Sequence, residues 1–463
     1  MAVDDAYIHL RYGRQLVESG SFVYNAGEAV FGLTSPLYGL VAAGAVALGG
    51  EAAAGLLMCA NIALWTVAVF LAVQLVEPRL RLWITALLSL APVFVDNQLL
   101  GMETPLFALL LVSAVVATRS GRIGFACLAQ GLAMVTRPEA VLLVPWLILA
   151  LCQHTGGLLP AWRTLATPLR LAMLVGPGSA WCVFSAVQYG HILPQSMAAK
   201  TGWNNDHYAG LTSLMASLGA VPRLSFVPFL DHLPAALHLP VALGLIASAS
   251  AAGWYAIHSQ DRSAQLWMGF YGTILAFYLL GRGAIEASWY AVPPSLALAL
   301  GAAPLLARLP RAWTGQFAAW SLAGLLAIGS SYAATRRAPL LASYESAYGQ
   351  CADMLDVRAE AGSRVLVGEI GVFGWRSDHH IIDVGALVSP EVLPLKNSGR
   401  SLAAMARELS ATHIVISTRA MTTNHYPTVG PVLEGETDRH WFEQRCRLLG
   451  RADNLLLFEI LPA

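Results

Sequence analysis

Residues 55–76 read GLLMCANIALWTVAVFLAVQLV, a run without a charged side chain. An α-helix of this length rises about 33 Å and can cross the hydrocarbon core of a bilayer, which is about 30 Å thick. Nine further apolar stretches of about 14 to 22 residues follow, several of them short for a full crossing. They lie at residues 82–95, 104–118, 123–136, 139–152, 169–188, 236–257, 265–281, 289–308 and 313–333. The pattern predicts a mainly α, polytopic membrane helix bundle with about ten spans.

The composition agrees with a chain that lies largely in lipid. Of the 463 residues, 56% are hydrophobic and 12% are charged, and the mean hydropathy is +0.57. Charged residues make up about 25% of an ordinary soluble domain. The 28 basic and 28 acidic side chains cancel, so the charge indicates no nucleic-acid partner.

The charges also mark a domain boundary, because 28 of the 56 charged residues fall within residues 336–463. We expect residues 1–335 to form a transmembrane module with outer loops, and residues 336–463 to form a soluble domain. Residues 365–367 and 413–417 resemble strands and residues 401–409 a helix, which predicts a mixed α/β unit. If this domain is extracytoplasmic, its two cysteines, Cys351 and Cys446, could form a disulfide, but the sequence does not give their distance.

The loops alternate in charge along the chain. Every second loop is basic and carries Arg79, Arg81, Arg119, Arg122, Arg163, Arg170, Arg262, Arg308 and Arg311, while the alternate loops hold 11 of the 13 acidic residues before residue 336. Basic loops favour the cytoplasm, so both the start of the chain and the C-terminal domain are predicted to be extracytoplasmic. This topology requires residues 37–48 to form a helix that lies along the membrane surface. It also predicts that a further helix precedes residue 4 and carries the first loop across.

The first outer segment contains two adjacent carboxylates, Asp4 and Asp5. If residues 4–12 are helical, Asp5 and His9 are an i, i+4 pair, whereas Asp4 and Arg11 share another face. One carboxylate would then be held by His9 or Arg11 while the other accepts a proton, as acid–base chemistry requires. The alternative is a pair of solvated aspartates that cap the helix.

Other outer loops carry further candidate side chains. Residues 136–140, TRPEA, place Arg137 and Glu139 between two short helices, although Pro138 and Glu139 also suit the first turn of a helix. Residues 96–105, DNQLLGMETP, contribute Glu103.

Two more candidates follow further along the chain. Lys200, in residues 189–208, is one of only two lysines; it suits a phosphate group, but equally a lysine that extends toward the membrane interface. Trp289 and Tyr290 favour an interface anchor first and a sugar-stacking surface second.

These loops together resemble a known superfamily. The matching runs are DDAYIHLRYGRQLVESGSFVYNAGEAVFGLTSPL (4–37), LLGMETPLFALLL (99–111), TRPEA (136–140), YGHILPQSMAAKTG (189–202), RVLVGEIGVFGW (364–375) and HHIIDVGALVSPEVL (379–393). In this order they resemble the GT-C superfamily of integral membrane glycosyltransferases. The sequence is most similar to the branch that contains the mycobacterial terminal β-(1→2)-arabinofuranosyltransferase.

The resemblance implies that a sugar is transferred from a polyprenyl-phosphate donor to an acceptor glycan, lipid or protein outside the plasma membrane. A pentose is favoured only through the arabinofuranosyl branch. Asp5 is the expected base with Asp4 in support, and inversion of the anomeric centre follows if that base acts directly. The donor phosphate is assigned to Lys200, Arg11 and Arg137, and substrate binding to Glu103, His9, Glu139, Trp289 and Tyr290. Members of the superfamily usually carry a transmembrane helix just before the acidic pair.

The sequence contains no recognisable pattern of metal ligands. No zinc-ligand spacing, Walker loop, GxSxG elbow or dinucleotide fingerprint is present. His379 and His380 are adjacent, and neighbouring residues of a strand point to opposite faces. A divalent metal ion stays open as a cofactor, with Glu103 as a residue that orients either the acceptor or that ion.

Two other classes of protein share the apolar helices: transporters and catalytically inactive scaffolds that bind lipid or glycan. Transporters usually keep ionisable groups near the middle of their spans. No Asp, Glu or Lys lies in the middle of any predicted span, and the charges collect at one end, which favours chemistry at the outer face. The intact acidic pair argues weakly against a scaffold.

Overall fold

The computed structural model describes most of the chain, namely residues 3–203, 235–280, 288–310, 338–426 and 429–462. The chain divides into two compact units. The first unit comprises Met1–Leu57, Val183–Asn205 and Ala338–Ala463, and the second comprises Met58–Cys182 and Asp206–Arg337. The predicted boundary near residue 336 is therefore close to the start of the last segment of the first unit, and that unit also includes the beginning of the chain.

The second unit is helical throughout its described residues. Two of its helices extend into the first unit, namely Ala53–Ala72 at its start and Pro168–Tyr189 at its end. The others are Arg81–Leu90, Pro92–Leu99, Thr104–Arg119, Ile123–Thr136, Val144–Thr155, Leu158–Leu165, Ala235–His258, Arg262–Leu280 and Val292–Leu306. Nine of the ten predicted apolar stretches coincide with these helices; residues 313–333 lie outside the described part of the chain.

Fewer helices than predicted are long enough to cross a membrane alone. Within the described residues, three helical runs meet the requirements of length and composition: Pro36–Leu75, Pro138–Thr155 and Pro168–Tyr189. A fourth is the pair Pro78–Leu90 and Val93–Leu99, if this pair, bent by 55°, counts as one span. Three other apolar helices have only 14 to 16 residues, which is short for a bilayer.

Close helix packing holds the second unit together. A Cβ atom on Gly269 would lie 2.4 Å from the ring of Trp146, and one on Gly301 would lie 2.7 Å from the sulfur of Met268. The indole of Trp65 is buried, and its N–H donates to the carbonyl of Leu88 at 2.9 Å. At both positions the glycine leaves room for a large side chain of a neighbouring helix.

The first unit begins with the helix Asp4–Ser19, called here the first helix. It packs against the helix Pro36–Gly49 through Gly13, whose Cβ would lie 2.7 Å from the backbone nitrogen of Ala43. Gly20 ends the first helix with φ of 73°, a conformation that glycine adopts without steric cost. The predicted helix at residues 37–48 is thus present, and its position along a membrane surface stays a prediction.

The C-terminal part of the first unit is an α/β domain. Its strands are β1 Arg364–Val367, β2 His380–Asp383, β3 His413–Ser417, β4 His425–Tyr426, β5 Gly430–Pro431, β6 Cys446–Ala452 and β7 Leu455–Ile460. Its helices are Ala338–Arg358, Gly371–Arg376, Val392–Asn397, Leu402–Glu408, Thr418–Thr423 and Gly435–Arg445. The predicted strands at residues 365–367 and 413–417 and the helix between them are confirmed.

The main sheet has the order β2-β1-β3-β7-β6, with β2, β1 and β3 parallel and β7 and β6 antiparallel. Val365 to Val367 of β1 are fully buried, as expected for a central parallel strand covered on both faces. The short strands β4 and β5 pair separately.

The start of the chain covers the edge strand of this sheet. The side-chain amide of Asn25 donates to the carbonyl of Ile381 at 2.9 Å, and its oxygen accepts the Ile381 N–H at 3.1 Å. Gly32 lies against the loop after β2, since a Cβ there would lie 2.7 Å from a methyl group of Val388. An edge strand exposes unpaired backbone groups, and Asn25 satisfies those of Ile381 here.

Both cysteines of the α/β domain carry free thiols. Cys351 is fully buried and Cys446 partly so, and burial raises the pKa of each thiol to about 12. The disulfide that the sequence left open is therefore not formed in this structure.

Candidate active site

The carboxylate of Asp4 is held by the α/β domain. Oδ2 accepts the backbone N–H of Gly371 at 2.7 Å, and Oδ1 accepts that of Val372 at 2.8 Å. Only 5% of Asp4 is exposed. A carboxylate with two backbone donors at these distances is bound in a fixed orientation. Asp4 therefore fixes the first turn of the first helix to the segment that follows β1.

An acidic residue of the α/β domain, Glu369, interacts electrostatically with Asp4. Burial raises the pKa of Asp4 well above its usual range, the negative charges of Glu369 and Asp5 raise it further, and the amide bonds from Val372 and Gly371 oppose the shift. Glu369 itself is exposed. Three acidic groups, Asp4, Asp5 and Glu369, thus interact electrostatically at one place in the first unit, and no spacing in the sequence indicates that Glu369 joins the pair.

Asp5 differs from Asp4 in its exposure, since it is only half-buried. The i, i+4 relation with His9 is present, but Nδ1 of His9 contacts the backbone carbonyl of Asp5 at 3.1 Å. The His9 ring meets the ring of Tyr38 edge-on, with centroids 5.2 Å apart. Asp5 is therefore the more accessible carboxylate of the adjacent pair.

Arg11 is almost completely buried, with 2% exposed. Its guanidinium donates to the carbonyl of Tyr24 at 3.2 Å and to that of Ser377 at 2.9 Å, and it lies 3.6 Å from the carboxylate of Asp378. These contacts connect the first helix with the loop after it and with the end of the helix Gly371–Arg376. They favour a supporting role, and contact of Arg11 with a donor phosphate stays a prediction.

Lys200 lies on the helix Gln195–Trp203, which belongs to the same unit as Asp5. The N–H of Gln195 donates to the carbonyl of Phe31 at 2.6 Å. Ala199 is fully buried in a core that includes Leu366 of β1. The backbone of Lys200 is thereby fixed to the α/β domain, while its side chain lies outside the described part of the structure.

The second unit contains a buried ion cluster around Arg137, called here the Arg137 cluster. Nη1 of Arg137 lies 3.3 Å from Oε1 of Glu103, and Nη2 lies 2.8 Å from Oε1 of Glu139. The face of the Tyr290 ring is 4.9 Å from the guanidinium carbon, and the hydroxyl of Tyr278 lies 3.5 Å from Glu139. The structure thus brings together four predicted residues from three separate loops, and adds Tyr278.

One oxygen of this cluster is unused. Arg137 and Glu103 are each only about 4% exposed, and Oε2 of Glu103 is buried without a hydrogen-bond partner among the described residues. Such an oxygen destabilises the fold unless a donor reaches it. Trp289 lies beside the cluster, its ring 6.1 Å from that of Tyr290.

Among the described residues, no group of three or more His, Cys, Asp or Glu side chains is arranged to hold a metal ion. His379 and His380 point to different carboxylates, Asp356 at 3.3 Å and Glu28 at 3.6 Å. The described residues therefore offer no defined ligand set for the divalent ion that the sequence left open.

Comparison with known proteins identifies a solved structure with a similar fold. The crystal structure of ArnT from Cupriavidus metallidurans bound to undecaprenyl phosphate is similar over 99% of this chain and 94% of that chain, with a TM-score of 0.61 and 12% sequence identity. A family described as a domain of unknown function (DUF8728) matches residues 336–453. No curated protein matches the sequence.

The protein therefore has a GT-C-like fold, with a helical bundle and a C-terminal α/β domain, as predicted. The similarity concerns the fold alone, and the arabinofuranosyltransferase branch stays a prediction. The family match covers the α/β domain except its last strand, β7. The matched residues include Gly371 and Val372, whose backbone N–H groups bind Asp4.

Proposed function

We propose that the protein is a membrane glycosyltransferase that moves a sugar from a polyprenyl-phosphate donor to an acceptor glycan, lipid or protein. The similar fold of ArnT, whose crystal structure contains undecaprenyl phosphate, supports the donor class. The resemblance of the loops to the arabinofuranosyl branch favours a pentose such as arabinofuranose. The alternation of basic and acidic loops favours an acceptor outside the plasma membrane, with the α/β domain on the same side.

The observation that carries the proposal is the different placement of the two adjacent aspartates. Asp4 is buried and bound by two backbone amides, whereas Asp5 is half-exposed on the same rigid turn. A general base must be accessible to the acceptor and fixed in position. The exposure of Asp5 makes it accessible to the acceptor. The bonds to Asp4 hold the turn that carries Asp5 in a fixed position.

The proposed reaction is a single displacement. Asp5 removes the proton of an acceptor hydroxyl while that oxygen forms a bond to the anomeric carbon of the donor sugar. The bond between this carbon and the phosphate oxygen breaks, and the electron pair leaves with the polyprenyl phosphate. With one direct displacement, the configuration of the anomeric carbon is inverted. The positive charge of Lys200, carried on a helix of the same unit, is proposed to stabilise the departing phosphate.

The test is sugar transfer from a panel of polyprenyl-phosphate sugars by membranes that carry the protein, with Asp5→Asn and Lys200→Gln as variants. Glu18→Gln is the matched control, because Glu18 is an exposed carboxylate on the same helix. We expect Asp5→Asn to lower kcat by at least a hundredfold, Lys200→Gln to lower it by a smaller factor, and Glu18→Gln to leave it unchanged. Undiminished transfer by a well-inserted Asp5→Asn would remove Asp5 as the base. Absence of transfer from every donor by the unmodified protein would favour a transporter or a scaffold.

A further inference from the structure

The second unit contains a cavity of about 670 Å³ that has no part in the proposed reaction. Arg119, the last residue of the helix Thr104–Arg119, lines it. Glu103 of the Arg137 cluster directly precedes the same helix. A helix of 16 residues is about 24 Å long, so the cavity and the Arg137 cluster lie at opposite ends of this helix.

The lining of the cavity has a buried apolar part, called here the floor, and an exposed cationic part, called here the rim. Its floor is formed by small and branched side chains, including Val115, Leu266 and Ala303. Three arginines from three helix ends line the rim: Arg119, Arg262 and Arg308. All three are exposed and accessible to a ligand. Each belongs to a loop of the basic set in the sequence, so the alternation of loop charge corresponds to a real clustering in space.

Two acids, Glu77 and Asp261, line the same cavity, so the three arginines exceed the acids by one charge. Glu77 forms an ion pair with Arg79 at 2.9 Å. Asp261 accepts the backbone N–H groups of Ser263 and Ala264, each at 2.9 Å, and so caps the helix that begins at Arg262. Among the described residues, no carboxylate lies within ion-pair distance of Arg119, Arg262 or Arg308.

Stabilisation of helix ends explains only part of this arrangement. Arg119 donates to the carbonyl of Leu75 at 3.3 Å, and the guanidinium of Arg308 lies 5.9 Å from the ring centre of Tyr255. Each guanidinium has five N–H groups, so most donors remain available. A helix terminus stabilised by arginine does not need a cavity of several hundred cubic ångströms, whereas a ligand does.

We infer that this cavity binds a phosphate group at Arg119, Arg262 and Arg308. Guanidinium groups match phosphate oxygens in pairs. Basic pockets between the helices of membrane proteins bind anionic lipid head groups, and the apolar floor suits the first carbons of a lipid chain. The phosphate comes either from such a head group or from a soluble phosphate. This inference is independent of the proposed transferase activity.

The experiment uses the full chain in lipid nanodiscs and measures its thermal unfolding. One arm compares nanodiscs of a neutral galactolipid, which has no phosphate group, with nanodiscs that also contain phosphatidylglycerol, both in chloride buffer. A second arm adds inorganic phosphate to the galactolipid nanodiscs at constant ionic strength. A third replaces phosphatidylglycerol by an anionic lipid without phosphorus. The variants are Arg119→Gln, Arg262→Gln and Arg308→Gln, with Arg163→Gln as control, because Arg163 is exposed in another basic loop and does not line the cavity.

We expect phosphatidylglycerol or inorganic phosphate to raise the Tm of the unmodified protein and of Arg163→Gln. Each cavity variant should bind the same probe about tenfold more weakly, as expected for one lost charged hydrogen bond of about 1.4 kcal/mol. A response to phosphatidylglycerol alone identifies the head group, and one to inorganic phosphate alone identifies a soluble anion. If a Gln variant has a lower Tm without probe, the Lys variant at that position replaces it and should show a smaller loss of affinity. The inference is overturned by no response to either probe, by an equal response to the phosphate-free lipid, or by cavity variants that respond like Arg163→Gln.

Discussion

The carboxylate of Asp4 accepts a 2.7 Å hydrogen bond from the backbone of Gly371, across 367 positions of sequence. Val372 donates to the same carboxylate at 2.8 Å. Gly371 begins the short helix that follows β1, and the loops after parallel strands are where α/β domains usually bind their ligands. Here the chain's own first helix takes that place. The α/β domain therefore acts as a support for the acidic helix.

Asp4→Asn should weaken this support at a pH above the raised pKa of Asp4, where the side chain is a carboxylate. An amide oxygen is a poorer acceptor than a carboxylate, and the amide N–H₂ group would face a second backbone donor. We expect the free energy of unfolding to fall by about 1 to 3 kcal/mol, and kcat for sugar transfer to fall less than in Asp5→Asn. Thermal unfolding of the purified protein measures the first effect. Glu18→Gln removes only a surface ion pair, worth less than about 1 kcal/mol; an equal Tm for the two variants would contradict the role given to Asp4.

Gly371→Ala tests the same contact from the other side. A Cβ atom at this position would lie 1.8 Å from the backbone oxygen of Asp4, and backbone cannot move aside as a flexible side chain does. We expect a lower Tm and reduced transfer. Gly44→Ala is the matched control, because a Cβ there meets nothing within 4 Å and alanine favours the helix. Two alanine variants of equal stability would show that the segments are not in close contact.

Much of the fold follows from local sequence. The apolar runs, the helix at residues 401–409 and the strands at residues 365–367 and 413–417 depend on the length and character of a few consecutive residues. The helical spacing of Asp5 and His9 is of the same kind. Each of these elements that falls within the described residues was found at or near its predicted position.

The contacts of the candidate site depend instead on pairs far apart in sequence. Nothing in the spacing of Asp4 and Gly371 indicates that they meet, and the same holds for Glu103 and Arg137. Arg11 illustrates the limit: its charge favoured a phosphate ligand, but its partners include the distant carbonyl of Ser377. Local patterns supply the candidates, and only tertiary packing decides which of them are bound by the protein itself.

The Arg137 cluster should depend on the shape of the guanidinium as well as its charge. In Arg137→Lys, one ammonium group cannot reach Glu103 and Glu139 with separate nitrogens, so the free energy of unfolding should fall by about 1 to 3 kcal/mol. Arg137→Leu leaves two buried carboxylates without their cation and should cost about 3 to 5 kcal/mol. Tryptophan fluorescence during thermal unfolding measures both losses.

Arg122→Lys serves as the control for the Arg137 variants. Arg122 is exposed, directly before the helix Ile123–Thr136, and should tolerate lysine. The Arg137→Leu loss should shrink when Glu139→Gln is added, since one uncompensated charge is then removed. Losses that simply add would show that the two side chains do not interact.

The stability of the α/β domain should depend on pH, because the pKa of the buried residue Asp383 is raised. It is fully buried at the end of β2 and accepts backbone N–H groups from Gly385 and Leu387 at 2.7 and 2.5 Å. Burial raises its pKa to about 6, against the opposing effect of these bonds. Between about pH 4 and pH 6 the folded state holds a proton that the unfolded state has lost. The contribution of this group is therefore fully present below about pH 4 and is lost as the pH rises through 6, by about 3 kcal/mol in total.

Asp383→Asn cannot ionise, so its Tm should fall less than that of the unmodified protein between pH 5 and pH 7, whatever its absolute stability. The same decrease in both proteins would show that Asp383 does not titrate in this range.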